Sequence, residues 1–200
     1  MRVLVVGATG IIGRAVVAAL GAEHEVVTAS RKGSEHHVDI GQPETIRAMF
    51  ASVGPVDAIV SAAGSAAFKP LAQLSDEDFA FSLGNKLMGQ VNLVRYGLKS
   101  VRDGGSITLT SGTLSQTPAP GSAAVSLVNA AIEGFVRAAA LESGKKTRIN
   151  VVSPGWVSET LAAMGRDPKS GVRADAVAKV YVQSVTGRQS GMVLPAVSRS

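Results

Sequence analysis

The sequence predicts an α/β domain: a single doubly wound parallel sheet of about seven strands, with helices on both faces. Three observations predict it. Short β-rich runs alternate with longer helical patterns at the spacing of βαβ units. Runs such as DAIVSAA (57–63) are nearly all apolar, as strands covered on both faces must be. The hydrophobic content is 46% but only 4% of residues are aromatic, which implies a core of Val, Ala, Leu and Ile suited to close-packed helices. At 200 residues the chain reads as one domain spanning 1–200.

The elements follow in order. RVLVVGA (2–8) is a first strand, and a helix runs from Ile11 to Leu20. EVVTAS (25–30) and HHVDI (36–40) are the second and third strands. PETIRAMFASV (43–53) opens with Pro at a helix N-terminus, where the missing N–H costs nothing. DAIVSAA is the fourth strand, and one long helix covers Asp76 to Ser100. SITLTS (106–111) is a fifth strand, followed by the helix SAAVSLVNAAIEGFVRAAALE (122–142). RINVVSPG (148–155), a helix from Arg173 to Val185 and the strand GMVLPAV (191–197) complete the pattern.

Composition excludes several functions. With no cysteine there is no disulfide framework, thiolate metal site or Cys nucleophile, and three histidines leave little for a zinc site or a triad. Adjacent residues on a strand point to opposite faces, so His36, His37 and Asp39 do not read as a metal site. Twenty basic against fifteen acidic residues give +5. The basic residues are scattered and not interleaved with aromatics, which argues against nucleic acid. No apolar stretch approaches the ~20 residues of a membrane span, and the N-terminus reads as a strand, not a signal peptide. A cytoplasmic protein acting on a small molecule is expected.

The sharpest motif is GATGIIG at 7–13, directly after the first strand and opening a helix. Gly7 permits the tight turn, Gly10 lets the backbone approach a pyrophosphate, and Gly13 lets helix and strand pack closely. Thr9, Ile11 and Ile12 complete this candidate dinucleotide loop. The second strand ends Ser30-Arg31-Lys32, with no acid before Glu35. A hydroxyl and two cations suit the 2′-phosphate of NADP(H), where NAD sites place an acid. Asp39 and Ile40 are expected to border the adenine.

GATGIIG, Asp39, AAG at 62–64 (Ala62, Ala63, Gly64), GSI at 105–107 and SPG at 153–155 occur in the order of the short-chain dehydrogenase/reductase family, which the chain resembles over nearly its whole length. The resemblance implies a single NAD(P)-binding Rossmann-type domain. It also implies a homodimer or homotetramer formed through the helices around 85–100 and 122–142, with Ala131, Phe135 and Ala138 near the interface. The family's chemistry uses a Tyr and, four residues later, a Lys, which lowers the tyrosine's pKa. Here those slots fall on Val125 and Asn129, while Tyr96 and Tyr181 lie in other helices. The substrate-binding serine slot falls on Gly112, between Ser111 and Thr113. The asparagine of the family's NAG segment falls on Ala62, and its helix asparagine on Lys86, with Asn85 one residue earlier.

Ser111, Lys86 and Asn85 are therefore the catalytic candidates. A buried Lys86 would have a lowered pKa and could donate a proton near neutral pH; otherwise it would reach solvent or pair with an acid such as Asp78. Pro154, Gly155, Val157 (through its N–H) and Thr160 are expected around the nicotinamide, with Trp156, Leu161 and Met164 lining an apolar pocket. Two functions are open: an oxidoreductase acting on a small carbonyl or alcohol by non-standard acid–base chemistry, or a noncatalytic NADP(H) sensor or regulatory subunit.

Overall fold

The computed structural model describes residues 1–197. Seven strands form one parallel sheet in the order β3-β2-β1-β4-β5-β6-β7: β1 (Arg2–Val6), β2 (Glu25–Ser30), β3 (His36–His37), β4 (Val56–Ser61), β5 (Val101–Thr110), β6 (Thr147–Pro154) and β7 (Val193–Ala196). Along β1 the side chains alternate between two cores. Leu4 and Val6 join the core beneath α2 (Pro43–Val53), α4 (Gly89–Gly97) and α5 (Ala123–Ser143), and Val3 and Val5 the core beneath α1 (Ile11–Gly21) and α7 (Ala174–Thr186). Both faces are thus dry, which is why the strands read as continuous apolar runs. The winding reverses between β1 and β4, and a crevice opens there at the carboxyl ends of the strands.

The remaining helices are α3 (Asp76–Ser82) and α6 (Ser158–Ala163). Several boundaries differ from the sequence reading. β1 ends at Val6 and β4 at Ser61, so Gly7 and Ala62–Gly64 are free to line the crevice. β3 keeps two residues, because the chain at Val38–Ile40 leaves the edge to reach α2. The expected single helix over 76–100 is α3 and α4 joined by a π-helical turn at Leu83–Met88. Such a turn adds a residue without breaking the helix, and the reading of one uninterrupted helix did not allow for it.

α5 also corrects the membrane reading. It has 21 residues and a mean hydropathy of 1.4, long and apolar enough to cross a membrane by length and composition. In this fold it packs on the sheet through Val128, Ile132 and Val136.

Candidate functional site

At the crevice the chain turns at Gly7, whose φ is +85° and whose N–H donates to the Ala29 carbonyl. A Cβ on Gly7 would lie 2.8 Å from the Ala62 carbonyl group, and one on Gly13 would overlap the Gly7 carbonyl oxygen. Both glycines are demanded by packing. Gly10 is not: it has φ −73°, and its missing Cβ faces only the Gly7 oxygen at 3.4 Å. What its bareness provides is access to the N-terminus of α1, whose first N–H groups and dipole favour an anion.

A cleft of about 640 Å³ runs from this loop along the strand ends, lined by Gly7, Thr9, Gly10, Ser30, Arg31, Lys32, Asp39, Ile40, Ala62, Ala63, Gly64 and Asn85 among others. A second compartment of about 330 Å³ continues past Ala62–Gly64 and is lined by Ile12, Lys86, Ser111, Val125, Asn129, Pro154, Gly155, Trp156, Val157 and Thr160. The structure so gathers nearly all the residues singled out in the sequence. Ile11 does not line either compartment; it packs against the core under α1. Leu161 is buried and Met164 half exposed, so Trp156 alone of the three expected apolar residues faces the second compartment.

Arg31 and Lys32 are exposed at the mouth, and neither joins an ion pair among the described residues. Ser30 is buried, and its hydroxyl donates to the Lys32 carbonyl at 2.6 Å and contacts Ser34 Oγ at 2.8 Å. Its proton shapes the loop that carries the two cations and is not free to meet a phosphate. Asp39 accepts the Gly41 N–H.

The π-helical turn presents consecutive residues to the two compartments. Asn85 Oδ1 accepts the Ser65 N–H at 2.8 Å. The half-buried Lys86 donates to the Ser111 carbonyl at 3.3 Å. Desolvation lowers its pKa from 10.5 to about 8. Asp78 is not its partner: that carboxylate caps α3 through Ser75 and pairs with Lys69 at 2.5 Å. Ser111, by contrast, has its hydroxyl proton engaged, donating to Glu133 Oε1 at 2.9 Å. The serine contributes its carbonyl to Lys86 and has no spare proton for a substrate.

Two functional supports escaped the sequence reading. Glu133 is buried in α5 and takes hydrogen bonds from both Ser111 and Ser115 (2.7 Å). It follows Val125 and Asn129 at four-residue intervals, so all three share a helix face, and a lone acid on that face was the available signal. Gln90, fully buried, donates to the Thr110 carbonyl and accepts its N–H, both at 2.8 Å, fixing the end of β5. Nothing local in the sequence marks it.

The family model described as enoyl-(acyl carrier protein) reductase matches residues 9–190. Versicolorin reductase 1 of Aspergillus parasiticus is 30% identical over 190 residues, covering 82% of this chain and 72% of that protein. Other curated relatives are matched over shorter stretches, the chain covering 40% of one and 59% of another. Among solved structures, the protein lin1944 of Listeria innocua superposes with a TM-score of 0.93 at 39% identity, covering 98% of both chains. A small-chain dehydrogenase in complex with NADPH superposes with a TM-score of 0.86 at 25% identity, covering 98% of this chain and 95% of that one. Matched over nearly its whole length, the chain belongs to the short-chain dehydrogenase/reductase family.

Proposed function

We propose that the protein is an NADP(H)-dependent oxidoreductase that interconverts a small carbonyl compound and its alcohol. The observation that carries the cofactor choice is the pair of uncompensated cations, Arg31 and Lys32, lining the same cleft as the glycine loop. The small-chain dehydrogenase that holds NADPH supports the same reading. Gly7, Gly10 and the first turn of α1 would take the pyrophosphate, Asp39 and Ile40 the adenosine, and Ala62–Gly64 the span between compartments. When bound, the nicotinamide supplies or accepts the hydride.

Proton transfer falls to Lys86. Val125 has no proton to give and Gly112 has no side chain, whereas Lys86 has two N–H groups left after its bond to Ser111. With a pKa near 8 it is mostly charged at pH 7, and it releases a proton more readily than an exposed lysine does. Ser111 and Glu133 hold the carbonyl that orients it, and Asn85 fixes the loop at Ser65 opposite.

Arg31→Ala tests the cofactor reading. Loss of charge-assisted bonds to the 2′-phosphate is worth about 1.5–3 kcal/mol, so NADPH should bind roughly 10- to 150-fold more weakly while NADH affinity barely moves. Equal calorimetric affinities in the wild-type protein, or a preference that survives the substitution, would contradict it.

We also propose a homo-oligomer, either a dimer or a tetramer, formed through α5. Leu127, Gly134, Ala138 and Leu141 are exposed on α5, and a Cβ on Gly134 would meet nothing within 4 Å. A mid-helix glycine costs about 1 kcal/mol relative to alanine, and close approach of a second backbone would account for it. Of the residues expected at this interface, Ala131 and Ala138 lie near this stripe, but Phe135 also packs against the core. Light scattering should give at least twice the chain mass, and Gly134→Glu should shift it toward the monomer. A wild-type monomer at micromolar concentration would refute the proposal.

The rival reading, a protein that binds NADP(H) without chemistry, is favoured by Val125 standing among the pocket residues. Turnover separates the two.

A further inference from the structure

Lys86 lines the second compartment as a cation without a counter-ion. Its ammonium donates to one neutral oxygen, the Ser111 carbonyl at 3.3 Å, and joins no ion pair among the described residues. Desolvation is the cause of its lowered pKa, and no carboxylate acts on it in the opposite sense. The acids on neighbouring elements are engaged elsewhere. Glu133 of α5 takes the Ser111 and Ser115 hydroxyls, and Asp78 of α3 pairs with Lys69. A charge drawn out of water without a partner is costly, and two of its three N–H groups remain for a ligand.

Among the described residues Lys86 is the one charged side chain lining this compartment, and no carboxylate lines it. Leu114, Val125 and Trp156 give it apolar walls. A second cation stands beside it: Arg166 lies over the Trp156 ring, 5.1 Å from the centroid, and pairs with no acid among the described residues. Such a compartment fits an anion with a small apolar tail. Proton donation to the carbonyl oxygen and neutralisation of the charge both fall on one ammonium, so both ligand oxygens must reach the same nitrogen. A carboxylate on the carbon next to the carbonyl meets this demand, because in the planar form its oxygen and the keto oxygen point the same way.

We propose that the substrates are small 2-oxo acids with an apolar side chain, the keto oxygen and one carboxylate oxygen each accepting an N–H of Lys86. This rests on the oxidoreductase reading above and adds its substrate class. The carbonyl carbon takes the hydride of NADPH, and the oxygen, gaining the C=O π pair, takes the Lys86 proton. The products are the 2-hydroxy acid and NADP+, and solvent returns a proton to the lysine.

Trp156, the only tryptophan, lines the compartment and reports binding there. The test titrates NADP+-loaded protein with 4-methyl-2-oxopentanoate and with its uncharged amide, which matches it in shape, following tryptophan fluorescence. At pH 7 the wild-type protein should bind the acid roughly 10- to 150-fold more tightly, as charge-assisted bonds require. Lys86→Met should abolish the preference while retaining NADPH. A second measurement needs no variant: in the wild type the preference should fall roughly tenfold for each pH unit above about 8, while binding of the amide stays level. An acid bound no more tightly than the amide at pH 7, or not bound at all, would overturn the proposal. So would a preference that survives in Lys86→Met or at high pH, which would assign the carboxylate to another cation such as Arg166. Failure to bind NADPH at all is a different result, and it would strike the functional reading itself.

Discussion

Lys86→Met is expected to stabilise the protein at pH 7 and to lose that advantage as the pH approaches 10.5. In the folded chain the Lys86 pKa is lowered from 10.5 to about 8 by desolvation. Below pH 8 the ammonium is charged in both states, and burial of that charge is a penalty carried by the fold. Between pH 8 and 10.5 the unfolded chain binds the extra proton, so the wild type gains stability as pH rises through that window. The shift corresponds to about 3 kcal/mol at most. Lys86 is only half-buried, and solvent screens part of the effect, so roughly 1–3 kcal/mol is expected. At roughly 2–4 °C per kcal/mol for a chain of this size, the methionine variant should melt several degrees higher at pH 7 and level with the wild type near pH 10.5. A difference independent of pH would show that the lysine is not desolvated. A stability cost carried by one polar side chain is what a functional site imposes.

The second large effect is in the glycine loop. Gly13→Val should lower stability by about 3 kcal/mol or more, since overpacking against backbone has no flexible neighbour to yield. The melting temperature should fall by roughly 6–12 °C. Gly21→Ala, in the last turn of the same helix, is the contrast: a Cβ there meets nothing within 4 Å, and alanine's higher helix propensity should make the change neutral or stabilising by up to about 1 kcal/mol. Similar melting curves for the two variants would mean that α1 does not pack on the Gly7 carbonyl as described.

The cofactor half of the site was legible because its requirements are local. Gly7, Gly10 and Gly13 stand at fixed spacing on one turn, and Arg31 and Lys32 follow directly on a strand end. The sheet was legible for the same reason, each buried strand declaring itself as an apolar run. The reacting end was less so. Lys86 and Asn85 reach the cleft through a π-helical turn, which a reading of one uninterrupted helix does not foresee. Ser111 looked like a proton donor until the structure paired it with Glu133, 22 residues away along the chain. Long-range pairings of this kind, like Gln90 with Thr110, depend on tertiary packing and leave no pattern in the sequence.

The oxidoreductase claim is tested most directly by following NADPH absorbance while the purified protein is offered small carbonyl compounds. The account predicts saturable oxidation of NADPH, slower with NADH, and lost in Lys86→Met while that variant still binds the cofactor. NADPH that binds tightly but keeps its absorbance with every carbonyl offered would contradict it and leave a binding protein in its place.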